Sequence, residues 1–225
     1  MGIGKDLGIV GATAAVVVLA RSAPVDAVVT SLDRNVVVSV ANQYVNHGNN
    51  PYEHPYFNSD CTNYVSFVWE FSGTPQNNQW FDYPVAVMFR NTSLSWMAVR
   101  EFSDYHTVNH YENGGIFATK YPTDESAFNG LGSTAALGDA VMYDWNDGGP
   151  TTDHLSTYTG YMFIGTYWDA RYSRAYNLNH DYKVINQHTY DRQYAPWNFG
   201  FLENKYFGTN GAWTGMDYKL IHVNT

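Results

Sequence analysis

The amino-acid sequence predicts an α+β fold, with helices in the first half of the chain and an antiparallel sheet in the second. Apolar residues recur at helical spacing in three segments between residues 30 and 106, whereas apolar and polar residues alternate in several segments after residue 135. Helices followed by a run of strands are typical of α+β proteins. The chain has 225 residues and no evident linker, so we expect one domain after the N-terminal segment.

Helical spacing of apolar residues predicts each helix. In the first, Val37, Ala41 and Tyr44 fall on one face, while charged and amide side chains occupy the others. In the second, an apolar-periodic run follows Cys61 and stops at a Ser-Gly pair. The predicted helices cover residues 30–46, 60–71 and 94–106. We interpret residues 73–84, between the second and third helices, as irregular.

Alternation of side-chain type predicts the strands. The predicted strands cover residues 140–143, 154–161, 182–190 and 218–223. In the third strand Asn186 and His188 share one face and Gln187 lies on the other, because successive side chains point to opposite faces. A loop rich in turn residues separates the first two strands.

The first 27 residues differ from the rest and predict a secretory signal peptide over residues 1–27. Lys5 precedes an apolar run over residues 7–20, and small residues follow at positions suited to cleavage. The apolar run is too short for an ordinary membrane span, and an interfacial or buried helix is the alternative. We therefore expect a secreted or cell-wall-associated protein, with no stable membrane span after processing and one domain over residues 28–225.

The charge balance excludes some classes of partner. The formal net charge is −9, and the 12 lysines and arginines form no stripe, so we expect no nucleic-acid partner. Asp144, Asn146 and Asp147 faintly resemble a calcium loop, but no glutamate stands at its twelfth position, and turn chemistry explains them. We expect neither a metal nor another cofactor. Nothing indicates an oligomer, and a monomer is the favoured state.

Cys61 is the only cysteine, so it is either a small buried apolar residue or a nucleophile. Short polar residues precede it and a helix follows, with Asn58, Ser59 or Asp60 as the N-cap. Amides and the dipole at a helix N-terminus favour a thiolate, which is the reactive form. The position is therefore suitable for a nucleophile, although buried, unreactive cysteines are also common.

A cysteine nucleophile needs an imidazole base and a polar group that orients the imidazole. Among eight histidines, His154 opens a predicted strand directly after a polar loop, where a ring can project past the sheet edge. Asn186 and His188 on the neighbouring strand are candidates for the orienting group. Each of these residues, taken alone, is also explained as an ordinary polar residue of a strand.

Several motifs occur in an order that resembles a known family. Asp60-Cys61-Thr62-Asn63-Tyr64-Val65-Ser66 resembles the DCTNF-V-S signature of the putative amidase domain family, a branch of the NlpC-like and CHAP-like hydrolases. The other matching segments are 41–56, Ser93-Leu94-Ser95-Trp96, Gly138-Asp139 with its strand, Asp153-His154-Leu155-Ser156 and Val184 to Asp191. The resemblance spans about residues 35 to 197. The chain departs from the family where Phe67 replaces a usual glutamine and where Leu155 separates His154 from the serine.

The resemblance implies a papain-like core, with the cysteine at a helix start packed on an antiparallel sheet that carries the histidine. By position, Cys61 is the nucleophile, His154 the base and His188 the third residue, with Asn186 as the alternative. Asp60 is interpreted as the cap and rim of the active site. Tyr56 or the Cys61 amide is the expected oxyanion donor.

These features predict a secreted cysteine hydrolase that acts on peptidoglycan or another peptide or amide substrate. The expected bond joins muramic acid to L-alanine or lies within the stem peptide. One alternative is a catalytically silent extracellular binding or surface protein on the same scaffold. Another is an acyltransferase that uses the same Cys61–His154 pair, because a fold does not determine the reaction.

Overall fold

The structure is a computed structural model. It describes residues 32–46, 60–86, 89–108, 118–123, 135–145, 153–169, 173–188, 191–199 and 217–224. The predicted signal peptide and Tyr56 lie outside these ranges, as do Asn146 and Asp147 of the loop weighed as a calcium site.

Four helices are described, all before the main sheet in the chain. They are α1 (Arg34–Tyr44), α2 (Cys61–Phe71), α3 (Leu94–Met97) and α4 (Val99–Thr107). Helix α1 begins four residues later than predicted, because the Asp33 side chain accepts hydrogen bonds from the amides of Asn35 and Val36 and so caps the helix. The predicted third helix is two helices, because Ala98 is extended between them.

Within the described residues, eight strands form two antiparallel sheets. They are β1 (Asp82–Ala86), β2 (Phe89–Thr92), β3 (Ala118–Thr123), β4 (Ala140–Asp144), β5 (His154–Asp169), β6 (Arg174–Gln187), β7 (Arg192–Pro196) and β8 (Asp217–Val223). Strands β1 and β2 form a hairpin, and the six others form a sheet of order β3-β8-β4-β5-β6-β7. The predicted α+β class and antiparallel sheet are confirmed.

The main sheet is covered on both faces. Along β4, Ala140 and Met142 pack with the helices, whereas Val141 and Tyr143 belong to a second apolar cluster with Trp197. We call these two sides the helix face and the aromatic face. Because neighbouring strand residues point to opposite faces, this division fixes the side to which each residue near the site belongs.

The sequence patterns missed four strands and shortened two. The segment predicted as irregular contains the start of the β1–β2 hairpin, and β3 and β7 were not predicted. Strand β5 runs past its predicted end to Asp169, and β6 begins at Arg174, before its predicted start, so that the two form a two-stranded arm; β6 ends at Gln187, before its predicted end. There Tyr161, Met162 and Phe163 are all exposed, so the arm lacks the alternation that a half-buried strand shows.

In the described ranges, no helix combines the length and the apolar character needed to cross a membrane.

Candidate active site

Cys61 is the first residue of α2 and is buried, with 2% of its surface exposed. Its sulfur lies 3.8 Å from the Thr62 hydroxyl and accepts a hydrogen bond from the Leu155 amide near the start of β5. Burial raises the pKa of the Cys61 thiol, while the hydrogen bonds from Leu155 and Thr62 act in the opposite direction. The helix N-terminus therefore does not produce the lowered pKa that the sequence led us to expect.

Asp60 and His188 form a buried pair directly beside the cysteine. His188 Nδ1 lies 2.5 Å from Asp60 Oδ2, and both side chains are at most 2% exposed. His188 Nε2 donates to the Tyr44 carbonyl of α1 at 3.0 Å, and the Tyr64 ring stacks on the imidazole at 4.2 Å. Both ring nitrogens of His188 thus bind α1 or the start of α2, and His188 joins these two helices to the end of β6.

Asp60 occupies the N-cap position of α2, as predicted, but its side chain makes no capping hydrogen bond. Its second carboxylate oxygen accepts instead from the Asn63 amide at 2.9 Å, and Asn63 Oδ1 accepts from the Trp96 indole at 2.7 Å. Asp60 is 1% exposed, so its carboxylate lies beneath the surface, and its role at the rim of the active site stays a prediction. The polar residues of this segment therefore fix the start of α2 against α3 and β6.

His154 is the first residue of β5 and lies on the aromatic face of the sheet. Its Nε2 is 2.7 Å from Gln187 Oε1, at the last residue of β6. The Trp145 ring stacks near the imidazole at 5.9 Å, and Tyr143 and Phe199 lie at 5.6 and 6.3 Å. With 5% of its surface exposed, the ring is held by neighbours on several sides.

Asn186 faces the helix side and connects three elements. Its amide nitrogen donates to Asn42 Oδ1 of α1 at 2.8 Å, and its oxygen accepts from the Tyr194 amide of β7 at 2.9 Å. These contacts tie β6 to α1 and β7. Neither Asn186 nor His188 makes the hydrogen bond to His154 that a third residue of the predicted set would provide, and their catalytic roles stay predictions.

The predicted residues thus meet in two groups at the end of the sheet. Cys61, Asp60 and His188 lie together at the start of α2, and the Leu155 amide joins this group to the strand that begins with His154. His154 binds Gln187, which strand alternation predicts on the face opposite to His188 and which was not among the predicted site residues. Strand alternation already separates Gln187 from His188. Recognising Gln187 as the neighbour of His154 also requires knowledge of how β5 pairs with β6.

The arrangement contains the groups that proton transfer and acyl chemistry use. A thiol, an imidazole held through Nε2 and backbone amides at a helix N-terminus are the groups that attack on a carbonyl requires. Within the part of the chain that the structure describes, no three histidine, cysteine or acidic side chains come together as a metal-binding group.

Comparison with known proteins gives one match. The family model described as Putative amidase domain matches residues 31–209, which include every described residue of the site. No curated protein and no solved structure matches the chain.

Proposed function

Because the chain belongs to the Putative amidase domain family, an assignment that indicates an amidase-type hydrolase, we propose that it is a secreted cysteine hydrolase acting on peptidoglycan. The observation that carries the proposal is the position of Cys61, at the start of α2 and hydrogen-bonded to the amide next to His154. This places the thiol and the imidazole-bearing residue at the same end of the sheet. The papain-like arrangement inferred from the sequence motifs belongs to the proposal.

In the proposed mechanism, His154 acts as a general base. Since burial raises the pKa of the Cys61 thiol, the proton resides on sulfur at neutral pH and must leave during attack. His154 takes that proton while the sulfur bonds to the carbonyl carbon of the substrate amide. The resulting oxyanion is stabilised by amides at the start of α2, which carry a partial positive charge.

Collapse of this intermediate breaks the C–N bond, and the imidazolium of His154 donates its proton to the leaving amine. The acyl group remains on Cys61 as a thioester. Water then attacks the thioester with His154 again as the base, which releases a carboxylic acid and restores the thiol. The reaction consumes one water and needs no cofactor.

The substrate proposal rests on the N-terminal segment and on the reaction type. An enzyme exported by a signal peptide meets peptidoglycan outside the cell, and this polymer contains the amide bonds that a cysteine amidase can cleave. The proposed target is the bond between muramic acid and L-alanine or a bond within the stem peptide. Aromatic side chains make up 17% of the residues, a composition consistent with stacking on sugars or peptides.

The test compares the wild-type protein with Cys61→Ser and His154→Ala on purified cell walls. We expect both variants to lose wall clearing, since loss of the nucleophile or the base removes roughly 10²-fold or more of the rate. Mass spectrometry of the released muropeptides identifies the bond that is cut. A thermal melt of each variant establishes that the fold is retained.

Clearing by a folded Cys61→Ala protein at the wild-type rate would defeat the proposal. An added amine nucleophile distinguishes the acyltransferase alternative, because a transferase gives an amide of that amine whereas a hydrolase gives the free acid. Absence of any product from wild-type protein on walls and on stem peptides would favour the silent binding protein.

A further inference from the structure

Gln187 lies in hydrogen-bond contact with the proposed base, and we propose that it is the positioning residue of the site. This inference rests on the proposed cysteine hydrolase function. Gln187 Oε1 lies 2.7 Å from His154 Nε2, and Gln187 is completely buried. It holds the imidazole in one orientation and one tautomer, and it does so in place of His188 or Asn186.

The register of β5 and β6 explains why Gln187 reaches His154. Thr157 pairs with Asn186 and Tyr158 with Ile185. His154 shares the aromatic face with Tyr158, and Gln187 shares it with Ile185, because side chains alternate. The two residues are therefore diagonal neighbours on one face, at a separation that a long side chain spans.

The same register directs Asn186 and His188, the two residues first predicted for this role, away from His154. Asn186 and His188 alternate with Gln187 and so point to the helix face, where they bind Asn42 of α1 and Asp60 of α2. Leu155, next to His154, packs with the helices on that same face. His188 uses its two ring nitrogens to bind Asp60 and the Tyr44 carbonyl, and it makes no hydrogen bond to His154.

The bond to Gln187 determines which nitrogen of His154 acts on the thiol. An amide oxygen is an acceptor, so His154 Nε2 carries the proton and donates it to Gln187 Oε1. The lone pair is then on Nδ1, and this is the atom that receives the Cys61 proton in the proposed mechanism. Stacking of Trp145 on the imidazole further limits rotation of the ring.

The uncharged amide of Gln187 avoids two electrostatic effects that a carboxylate at the same position would have. Arg192 pairs across the strands with Gln187 and forms a buried ion pair with Asp169. A carboxylate at position 187 would stabilise the imidazolium of His154 and would also attract Arg192. Gln187 orients the ring without either effect.

The experiment compares Gln187→Ala, Gln187→Asn and Gln187→Glu with the wild-type protein and with Gln79→Asn. Gln79 is exposed and lies outside the site, so it is the matched control for shortening a glutamine. Two quantities are measured against pH: kcat and KM for cleavage of a soluble muropeptide, and the rate of Cys61 alkylation by iodoacetamide. Thermal melts accompany each variant.

We expect Gln187→Ala and Gln187→Asn to lower kcat about 10- to 100-fold with little change in KM, a part of the 10²- to 10⁴-fold effect of acid–base catalysis. Gln187→Glu keeps an acceptor oxygen of the same reach, so it retains more activity. Its charge favours the imidazolium, and the acid limb of its pH–rate profile therefore moves to higher pH. A purely structural role would lower stability without moving this limb.

The inference is overturned if the folded Gln187 variants match Gln79→Asn in kcat and in the pH profile. If Gln187→Ala does not fold, the profile of Gln187→Glu decides alone. Failure of the proposed function looks different, because Cys61→Ser would then remain active. An inactive Cys61→Ser with unaffected Gln187 variants removes only the role of Gln187.

Discussion

At the residue scale, burial is the dominant influence on Cys61. A helix N-terminus favours a thiolate, but removal of the sulfur from water favours the neutral thiol more strongly, and the pKa is raised. Asp60, directly before Cys61, adds to the increase through its negative charge. In the proposed mechanism Cys61 therefore starts as the protonated thiol and depends on a base, and this is the reason to examine the orientation of His154.

His188 gives a prediction about stability at this same scale. Replacing His188 by alanine leaves the Asp60 carboxylate buried beside Cys61 without its ion-pair partner. We expect a loss of about 3–5 kcal/mol in the free energy of unfolding, the usual cost of breaking a buried pair from one side. Urea denaturation at pH 7 measures it.

The matched control is Arg100→Ala, which removes an exposed ion pair with Asp104 at 3.7 Å. Exposed pairs contribute at most about 1 kcal/mol, so the two variants should differ clearly. Equal losses for His188→Ala and Arg100→Ala would show that the Asp60–His188 pair does not stabilise the start of α2.

At the element scale, the sequence predicted the elements with regular periodicity and missed those without it. Helix α2 and strands β4 and β8 were predicted to within one or two residues because each alternates or repeats cleanly. Strand β3 contains Pro122 and stands at the sheet edge, where proline is tolerated, so it gave no strand signal. Strand β7 contains Tyr194 with φ of 54°, a conformation that a strand pattern does not reveal.

The candidate site shows the same limit. Cys61 and His154 could be predicted to lie at the starts of elements, as the structure has them, because sequence patterns locate such starts well. The hydrogen bond from His154 to Gln187 depends on the register of two strands, and register is set by tertiary packing that one strand's own pattern does not encode. His188, chosen by motif position, lies on the opposite face and pairs with Asp60.

Gly138 carries a prediction at the junction of α1 and β4. Its φ is +87°, and an added Cβ would lie 2.8 Å from Val37 Cγ1 of α1. Gly138→Ala therefore combines backbone strain of about 1–3 kcal/mol with overpacking of similar size. We expect a clear fall in the urea midpoint.

The double variant Val37→Ala/Gly138→Ala separates the two causes. It removes the Val37 methyl groups and thus the clash, so part of the loss from Gly138→Ala should be recovered relative to Val37→Ala alone. The part of the stability loss that comes from the positive φ at position 138 should persist. Full additivity of the two substitutions would contradict the close contact as a source of strain.

Asp139, the next residue, joins α1 to the last strand. Its carboxylate accepts from Arg34 of α1 at 2.8 Å and from His222 of β8 at 2.8 Å, and it is fully buried. Asp139→Ala leaves these donors without their shared acceptor, and we expect a loss of at least about 3 kcal/mol in unfolding free energy.

Asp33→Ala is the comparison for Asp139→Ala, because it removes a carboxylate that only caps α1 and should cost about 0.5–2 kcal/mol. Urea denaturation of both variants under the same conditions gives the two losses. A smaller loss for Asp139→Ala than for Asp33→Ala would show that the link between α1 and β8 contributes little.

At the scale of the whole molecule, the two clusters on the faces of the sheet contain many aromatic rings, and several buried tyrosines keep their hydroxyl groups away from water. Burial raises the pKa of Tyr64 and Tyr143, and it raises the pKa of Tyr105 to about 12. In the unfolded chain the same groups lose their protons near pH 10. The folded state therefore binds these protons more tightly than the unfolded state.

The sign of the effect follows from this difference. A pKa that is raised by folding contributes stability below the unfolded value, and that stability is lost as the pH rises from about 10 towards the folded value. We expect the free energy of unfolding in urea to fall steeply above about pH 10, with absorbance at 295 nm showing that the tyrosines ionise as the chain unfolds.

Tyr105→Phe removes one of these groups and should make the decline shallower, even though it also removes the hydrogen bond with Asn77. The Cys61→Ala variant shows how much of the decline comes from the thiol, whose pKa burial also raises. A decline of the same slope in Tyr105→Phe and in wild type would show that Tyr105 ionises equally in the folded and unfolded states, against the burial seen in the structure.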